Sequence, residues 1–389
     1  MEIIDVWEAN LLEQLESIAV LRRCFPIVAM DTEFSGFLHS TPRHAAEERR
    51  YRDLKYNVDN LCMIQLGIAL FDDAGNHPGM AWQINFSDFD PDVDPCSPAS
   101  IDLLTNSGID VQRNRREGIS SVRYAALLRE KLFDHHGGAF VTFHGSYDVG
   151  YLMKLLAGGR PLPETSGEFI MAASGIFNGR LYDVKYMARF CPGLLGGEVG
   201  LMKLASMLNV EAVGVAHQAG FDSLVTGLTF QEMHKRWAVM GDRDSMILYG
   251  LESVCHESKR ASSLGPLRRP WTLPAGRFLI APPMVRPPLA FPSPYFGGGG
   301  AGHGHVHLLP PATPLIGRTD MIYSLQNDNT GTGKSVWKRN RREPSDTRRR
   351  RRQQRDRAMA GAAAAAKVWR RESQRWAHRR RRNHEAPRC

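Results

Sequence analysis

Only the first 256 residues of this 389-residue chain carry a hydrophobic pattern that can build a core. Within them, apolar runs of strand length alternate with segments of helical periodicity, and that alternation is the strongest constraint on the fold. Val6, Leu11, Leu12, Leu15, Ile18 and Leu21 recur at helical spacing and predict an amphipathic first helix. Residues 25–30, 61–71, 81–86 and 139–143 are short apolar runs, mostly bounded by Gly, Asp or Asn, and read as core strands. Helical patterns follow at 122–133, 147–156, 200–208 and 223–237. The expectation is an α/β layer fold with a mixed central sheet flanked by helices, long enough to bury one sizeable core.

Beyond residue 257 the texture changes. Clusters such as Ala281-Pro282-Pro283, Pro287-Pro288 and Gly297-Gly298-Gly299-Gly300 sustain no periodicity, so 257–337 reads as a disordered Pro/Gly-rich linker. Residues 338–389 hold 20 Lys or Arg in 52 positions, including Arg348 to Arg352 and Arg379 to Arg382, and read as a disordered Arg-rich tail. Charge divides at the same place: 22 basic and 33 acidic side chains lie in 1–256, net −11, and 28 basic and 8 acidic in 257–389, net +20. The basic balance of the whole chain therefore belongs to its end. The Arg clusters suit a phosphate-binding arm, a nuclear-localisation signal or an extension without function.

Several classes fall away. No apolar run approaches the ~18 residues of a membrane span, and Met1-Glu2-Ile3-Ile4-Asp5 lacks the basic and apolar regions of a secretory signal. An intracellular protein with no membrane partner is expected. Cys24, Cys62, Cys96, Cys191, Cys255 and Cys389 form no CxxC pair, which argues against a zinc ribbon or a disulfide framework and predicts mostly buried, reduced thiols. Gly331-Thr332-Gly333-Lys334-Ser335 resembles a phosphate loop, but the Gly required five residues before Gly333 is Asp328 and no strand precedes it. His303, His305 and His307 sit in the Gly-rich linker and read as incidental.

The chemical signal lies in the acids. Asp31-Thr32-Glu33 closes an apolar strand, and residues i and i+2 on a strand share a face, so two carboxylates project together. Such a pair repels unless a cation bridges it, and hard oxygen donors suit Mg²⁺ or Mn²⁺. Asp148 follows the strand at 139–143 where a helix begins, and Asp222 precedes a helix with His217 five residues upstream. Each alone also reads as a helix cap. Together they complete D-x-E, then D, then H-x₄-D.

That pattern is the signature of the DEDD exonuclease superfamily in its histidine-containing branch. The stretches Phe25-Pro26-Ile27-Val28-Ala29-Met30-Asp31-Thr32-Glu33-Phe34, Tyr51 to Asn60, Ile64-Gln65-Leu66-Gly67, Trp82 to Phe86, Gly108-Ile109-Asp110, Tyr182-Asp183-Val184-Lys185 and His217-Gln218-Ala219-Gly220 resemble the CCR-associated factor deadenylases, the poly(A) nuclease subunits of the CCR-NOT complex. The resemblance spans about residues 2 to 256 and implies an RNase H-like fold and a 3′-to-5′ exoribonuclease that shortens poly(A) tails of mRNA and releases AMP. It further implies two divalent cations held by Asp31, Glu33, Asp148 and Asp222, with His217 as general base. Single-stranded RNA, the CCR-NOT scaffold and a second deadenylase subunit are the implied partners, in cytoplasm and nucleus. Phe34, Phe37, Tyr147 and Tyr151 are aromatics near the site, of which Phe34 and Tyr147 are the candidates for stacking on bases. Two positions depart from the family pattern: Ser35, where Pro is usual, and Phe221, where Ser is usual. Phe221 is bulky enough to displace Asp222 or crowd the terminal nucleotide, which keeps open a weakly active scaffold. A nuclease acting on other single-stranded nucleic acid is the remaining alternative.

Overall fold

The computed structural model describes residues 1–133, 138–239, 241 and 243–263. Six strands, β1 (Glu2–Val6), β2 (Ile27–Phe34), β3 (Met63–Phe71), β4 (Met80–Asn85), β5 (Ala139–Thr142) and β6 (Leu181–Asp183), form one sheet in the order β1-β4-β3-β2-β5-β6. The pairs β2–β3 and β3–β4 are antiparallel, whereas β1–β4, β2–β5 and β5–β6 are parallel, so the sheet is mixed as expected. The helices among the described residues are α1 (Leu11–Leu21), α2 (Glu47–Asn60), α3 (Pro98–Asn106), α4 (Val111–Glu117), α5 (Ser121–Leu132), α6 (Ser146–Leu156), α7 (Ser166–Ile176), α8 (Val184–Ala188), α9 (Leu201–Met207), α10 (Ala219–Trp237) and α11 (Glu252–Ser263). Helix α10 packs along β2, β3 and β4, while α1, α5, α6 and α2 pack in succession on one another in the other layer, with α6 meeting β2. Both faces of the central strands are thereby covered, which is why β2 and β3 read as unbroken apolar runs rather than as alternating ones.

The seat of α10 follows from one face of β3. Gln65, Gly67, Ala69 and Phe71 alternate along the strand and so share that face. A Cβ on Gly67 would lie 1.8 Å from the Ala219 carbonyl oxygen, so only glycine lets the helix start so close to the sheet. Farther along, a Cβ on Gly227 would lie 2.0 Å from the Phe71 ring, and this second glycine seats the middle of the helix. No side chain of Gln218 caps α10. Two side chains of the sheet cap it instead: the Ala219 N–H donates to Gln65 Oε1 at 3.3 Å and the Gly220 N–H to Gln83 Oε1 at 3.2 Å, satisfying donors that a helix start leaves free.

Several elements differ from the sequence reading. Val6 ends strand β1 rather than opening the first helix, which begins at Leu11. Helix α2 was hidden by its polar surface, since only Tyr51, Asp53, Leu54, Asn57 and Val58 are buried in EERRYRDLKYNVDN. Strand β2 runs from Ile27 through Phe34, so Asp31 and Glu33 lie on its last half, as their place at the strand end led one to expect. Asp148 lies in the first turn of α6, within the helical stretch expected at 147–156, whereas Asp222 lies inside the first turn of α10 rather than before it. Helix α11 runs across the expected break at residue 257. Of the five described cysteines, all free, only Cys191 and Cys255 are buried; Cys62 and Cys96 are half-buried and Cys24 exposed, contrary to the expectation of mostly buried thiols. The rest of the linker, the Arg-rich tail, the His303, His305 and His307 set and the Gly331–Ser335 stretch lie outside the described residues. Among the described residues no helix is long and apolar enough to cross a membrane.

Candidate active site

The register of β2 and β3 sets the first two acids. Asp31 pairs with Gly67 and Glu33 with Gln65, and directly opposed residues share a face, so both carboxylates stand on the face that α10 covers. Because Gly67 lets the first turn of α10 settle there, Asp222 arrives beside them. Oxygen atoms of Glu33 and Asp222 and a ring nitrogen of His217 all lie within 4.8 Å of one another. His217 sits in the left-handed region at φ 64°, and its N–H donates to Asp222 Oδ2 at 3.0 Å. The loop thus folds back on the helix start and carries the imidazole into the same cluster.

Asp148 comes from the other layer. β2 pairs with β5 only through Ile27–Ala29, so beyond that point the flank of β2 has no neighbouring strand. Asp148 fills the gap: its Oδ1 accepts the Thr32 N–H at 2.8 Å and the Thr32 hydroxyl at 2.6 Å. A carboxylate on α6 thereby takes the place of a ladder carbonyl and is fixed at the level of Asp31 and Glu33. The start of α6 is held in turn by Asp183, whose buried carboxylate accepts N–H groups from His144 (2.9 Å), Gly145 (3.1 Å), Lys185 (3.0 Å) and Tyr249 (3.0 Å). Asp183 and Thr32 are positioning residues that the sequence reading passed over as site residues. A buried Asp that ends a three-residue strand gives no local sign of this work.

The electrostatics follow from crowding. Burial holds the Asp31 carboxyl well above the usual range, and Asp148, Asp222 and Glu33 push it further. Burial also raises Glu33, reinforced by Asp222 and Asp148. Asp148 and Asp222 are each raised to about 7, chiefly by burial, with the bonds from Thr32 and from the His217 amide opposing. Four acids that destabilise one another's charge this strongly need a positive partner. Asp222 Oδ1 is buried without a hydrogen-bond partner, an oxygen in the cluster with a lone pair to offer. Hard carboxylate oxygens, one buried and unpaired, around a polar cluster make a donor set that fits divalent cations. The His217 imidazole is lowered from its ordinary value by burial, so at neutral pH it is uncharged and able to accept a proton.

The aromatics and the two departures are also placed. Phe34 is packed among rings, 5.5 Å from Tyr147, 4.7 Å from Tyr151 and 5.3 Å from Phe37, while Tyr147 accepts a hydrogen bond from Asn57 Nδ2 at 2.9 Å. Both Phe34 and Tyr147 form part of the wall of a neighbouring cavity. Ser35 is fully buried, its N–H donating to the Cys62 carbonyl at 3.0 Å, a bond that proline has no hydrogen to make. Phe221 is 2% exposed and its ring lies against Gly214, where a Cβ would come within 2.1 Å of it. The ring is thus buried in the core beneath the loop that carries His217.

Comparison with known proteins adds the following. The profile of the CAF1 family ribonuclease matches residues 6–138. The chain is 41% identical over 262 residues to "Probable CCR4-associated factor 1 homolog 7" of Arabidopsis thaliana, covering 64% of this chain and 94% of that relative. It is 37% identical over 259 residues to "Poly(A) ribonuclease pop2" of Schizosaccharomyces pombe, covering 64% and 75% respectively. Among solved structures it is similar to S. pombe Pop2p in its Mg²⁺- and Mn²⁺-bound form, with TM-score 0.60 and 36% identity over 64% of this chain and 100% of the other. It is also similar to a chain in the structure of the yeast NOT1 MIF4G domain co-crystallised with CAF1, with TM-score 0.53 and 25% identity over 64% of this chain and 96% of the other.

Proposed function

This chain belongs to the CAF1 family of ribonucleases, and from that premise we propose that it is a divalent-cation-dependent 3′-to-5′ exoribonuclease that shortens poly(A) tails and releases AMP. The observation that carries this reading is the convergence of Glu33, His217 and Asp222 within 4.8 Å, in a buried site where Asp148 and Asp222 raise the carboxyls of both Asp31 and Glu33. Asp31, Glu33, Asp148 and Asp222 would hold two cations, Mg²⁺ or Mn²⁺. The chemistry such cations supply when bound is activation of water and neutralisation of charge at the phosphodiester. Neutral His217 accepts the proton of the attacking water, its backbone held beside the acids by the bond from its N–H to Asp222. Thr32 and Asp183 keep Asp148 at the height of the other three acids.

The poly(A) preference is supported by the name of the S. pombe relative, since the carboxylates themselves meet a phosphate that every nucleic acid offers. Membership of a CCR-NOT assembly is supported by the similarity to CAF1 co-crystallised with NOT1; pairing with a second deadenylase subunit, and distribution between cytoplasm and nucleus, extend that reading. Asp31→Ala or Asp222→Ala is expected to abolish Mg²⁺-dependent shortening of A₂₀, and the wild type is expected to digest A₂₀ faster than U₂₀ or C₂₀. Full activity in either variant would overturn the site, and equal rates on the three substrates would overturn the specificity.

A further inference from the structure

Beside the carboxylates opens a cavity of about 600 Å³ whose charge is opposite to that of the rest of the folded part. Residues 1–256 carry net −11, a surface that repels RNA. The cavity wall nevertheless holds four cations, Arg43, Arg50, Lys185 and Lys203, against one carboxylate, Glu198. Glu198 is already engaged, by Arg43 at 3.1 Å and by the Tyr249 hydroxyl at 3.0 Å. Among the described residues no carboxylate lies within 4.0 Å of Lys185, Arg50 or Lys203. The Lys185 ammonium instead lies 4.7 Å from the Tyr249 ring and 5.7 Å from the Phe143 ring, half-buried. Burial makes an ammonium there costly, an effect that Asp183 and Glu198 offset only in part, and the field is felt nearby: His144 on the same wall is pushed down to about 3 by burial and then by Lys185, Arg50 and Arg189.

Another part of the wall is aromatic. Phe37 and Tyr147, both half-buried and edge-to-face at 5.1 Å, border the cavity together with Phe34. Phe34 follows Glu33 directly, and Ser146, another wall residue, is two positions before Asp148, so the cavity adjoins the acids through the chain itself. Cations with no carboxylate within 4.0 Å and aromatic rings lining one cavity match a phosphate joined to a base, although Arg50 also donates to the Ala45 and Arg43 carbonyls, and the volume is in the range that encloses a small ligand.

We propose that this cavity is a nucleotide subsite for single-stranded RNA, with Lys185, Arg50 and Lys203 holding the phosphate of a nucleotide upstream of the one being released and Phe37 and Tyr147 receiving its base. The identification of the ligand as RNA rests on the nuclease reading above. The same chemistry would also suit a free mononucleotide, and the experiment separates the two.

Binding of a labelled A₁₂ to the full chain is measured in EDTA, where no hydrolysis occurs, at several salt concentrations. Lys185→Met is expected to weaken A₁₂ about tenfold, the worth of one charge-assisted hydrogen bond. It is also expected to reduce the magnitude of the salt slope by about 0.7, one phosphate contact on a single strand. Lys203→Met, at an exposed position where folding is not at stake, is expected to weaken A₁₂ about threefold with a similar loss of slope. Arg23→Met, an exposed cation away from the cavity, removes the same charge and serves as the control that keeps wild-type affinity. Wild-type affinity in both lysine variants overturns the proposal. So does a result in which AMP alone binds in a Lys185-dependent manner while A₁₂ does not, since that marks a site for a free nucleotide. Because binding is read without catalysis, Lys185-dependent A₁₂ binding in a chain that fails to hydrolyse RNA refutes the nuclease reading and leaves the subsite standing. Brisk hydrolysis with binding indifferent to the lysines does the reverse.

Discussion

Gly67→Ala tests the geometry at its narrowest point. The added Cβ would stand 1.8 Å from the Ala219 carbonyl oxygen, 2.1 Å from its carbon and 2.7 Å from the Gly220 nitrogen, where ordinary contact begins at 3.4 Å. All three atoms are backbone, so no rotamer change relieves the clash and the start of α10 must move by about 1.6 Å, the difference between 1.8 and 3.4 Å. Asp222 is three residues beyond Ala219 in the same first turn and travels with it, away from Glu33, which is fixed in β2. The shift also strains the bonds from the Ala219 and Gly220 N–H groups to Gln65 and Gln83. Misplacing a catalytic group by ~1 Å costs about 100-fold in rate, and overpacking costs about 1–3 kcal/mol in stability. Initial rates of A₂₀ shortening should therefore fall at least 100-fold, while urea unfolding shows a loss of only about 1–3 kcal/mol and the chain remains folded at 25 °C. A folded variant with a rate within threefold of wild type would refute the argument that the closeness of α10 to β3 sets Asp222.

Two further expectations concern the acids. Asp148 and Asp222, raised from 3.8 to about 7, bind more protons in the native state than in the unfolded one, so their contribution to stability falls as pH rises through that interval. The chelated protein should show a lower Tm at pH 8 than at pH 5, and Mg²⁺ at a hundred times its pH 8 Kd should restore about 2.7 kcal/mol at pH 8 and less at the same concentration at pH 5, where the acids are protonated and the Kd is higher. Thermal scans showing the same Mg²⁺ gain at both pH values, or none, would contradict this. Asp148→Asn retains an Oδ1 acceptor for Thr32 while removing the charge, so activity should drop by about 100-fold or more with the chelated Tm unchanged or higher. Asp148→Ala leaves the Thr32 N–H and hydroxyl without that acceptor, at a cost of about 1–3 kcal/mol for each donor left buried; equal Tm in the two variants would show that the Thr32 bonds contribute nothing.

What could be read from the amino acids alone was whatever repeats at short range. The i, i+2 spacing of Asp31 and Glu33 on an apolar run already puts two carboxylates on one face, because alternation is a property of any strand. Residues 61–71 and 223–237 announced themselves by length and period, and four acids and a histidine at motif spacing reached the same family that the comparisons give. Where the local signal is short or polar, nothing distinguished the element: β6 is three residues, β1 is an exposed edge strand, and α2 presents mostly charged side chains.

The convergence of the acids belongs to the tertiary structure. Asp148 reaches the level of Asp31 because the pairing of β2 with β5 stops at Ala29 and leaves the Thr32 N–H in need of an acceptor, and Thr32 lies 116 positions away in the chain. Phe221 reads as a threat to the site in sequence, yet its neighbour in space is Gly214, so the ring is spent on the core. The cationic cavity likewise joins Arg43, Arg50, Lys185 and Lys203, scattered along an acidic sequence in which each reads as an ordinary surface charge. Short-range order follows from the geometry of the backbone; which charges come to face one another depends on where the chain closes on itself.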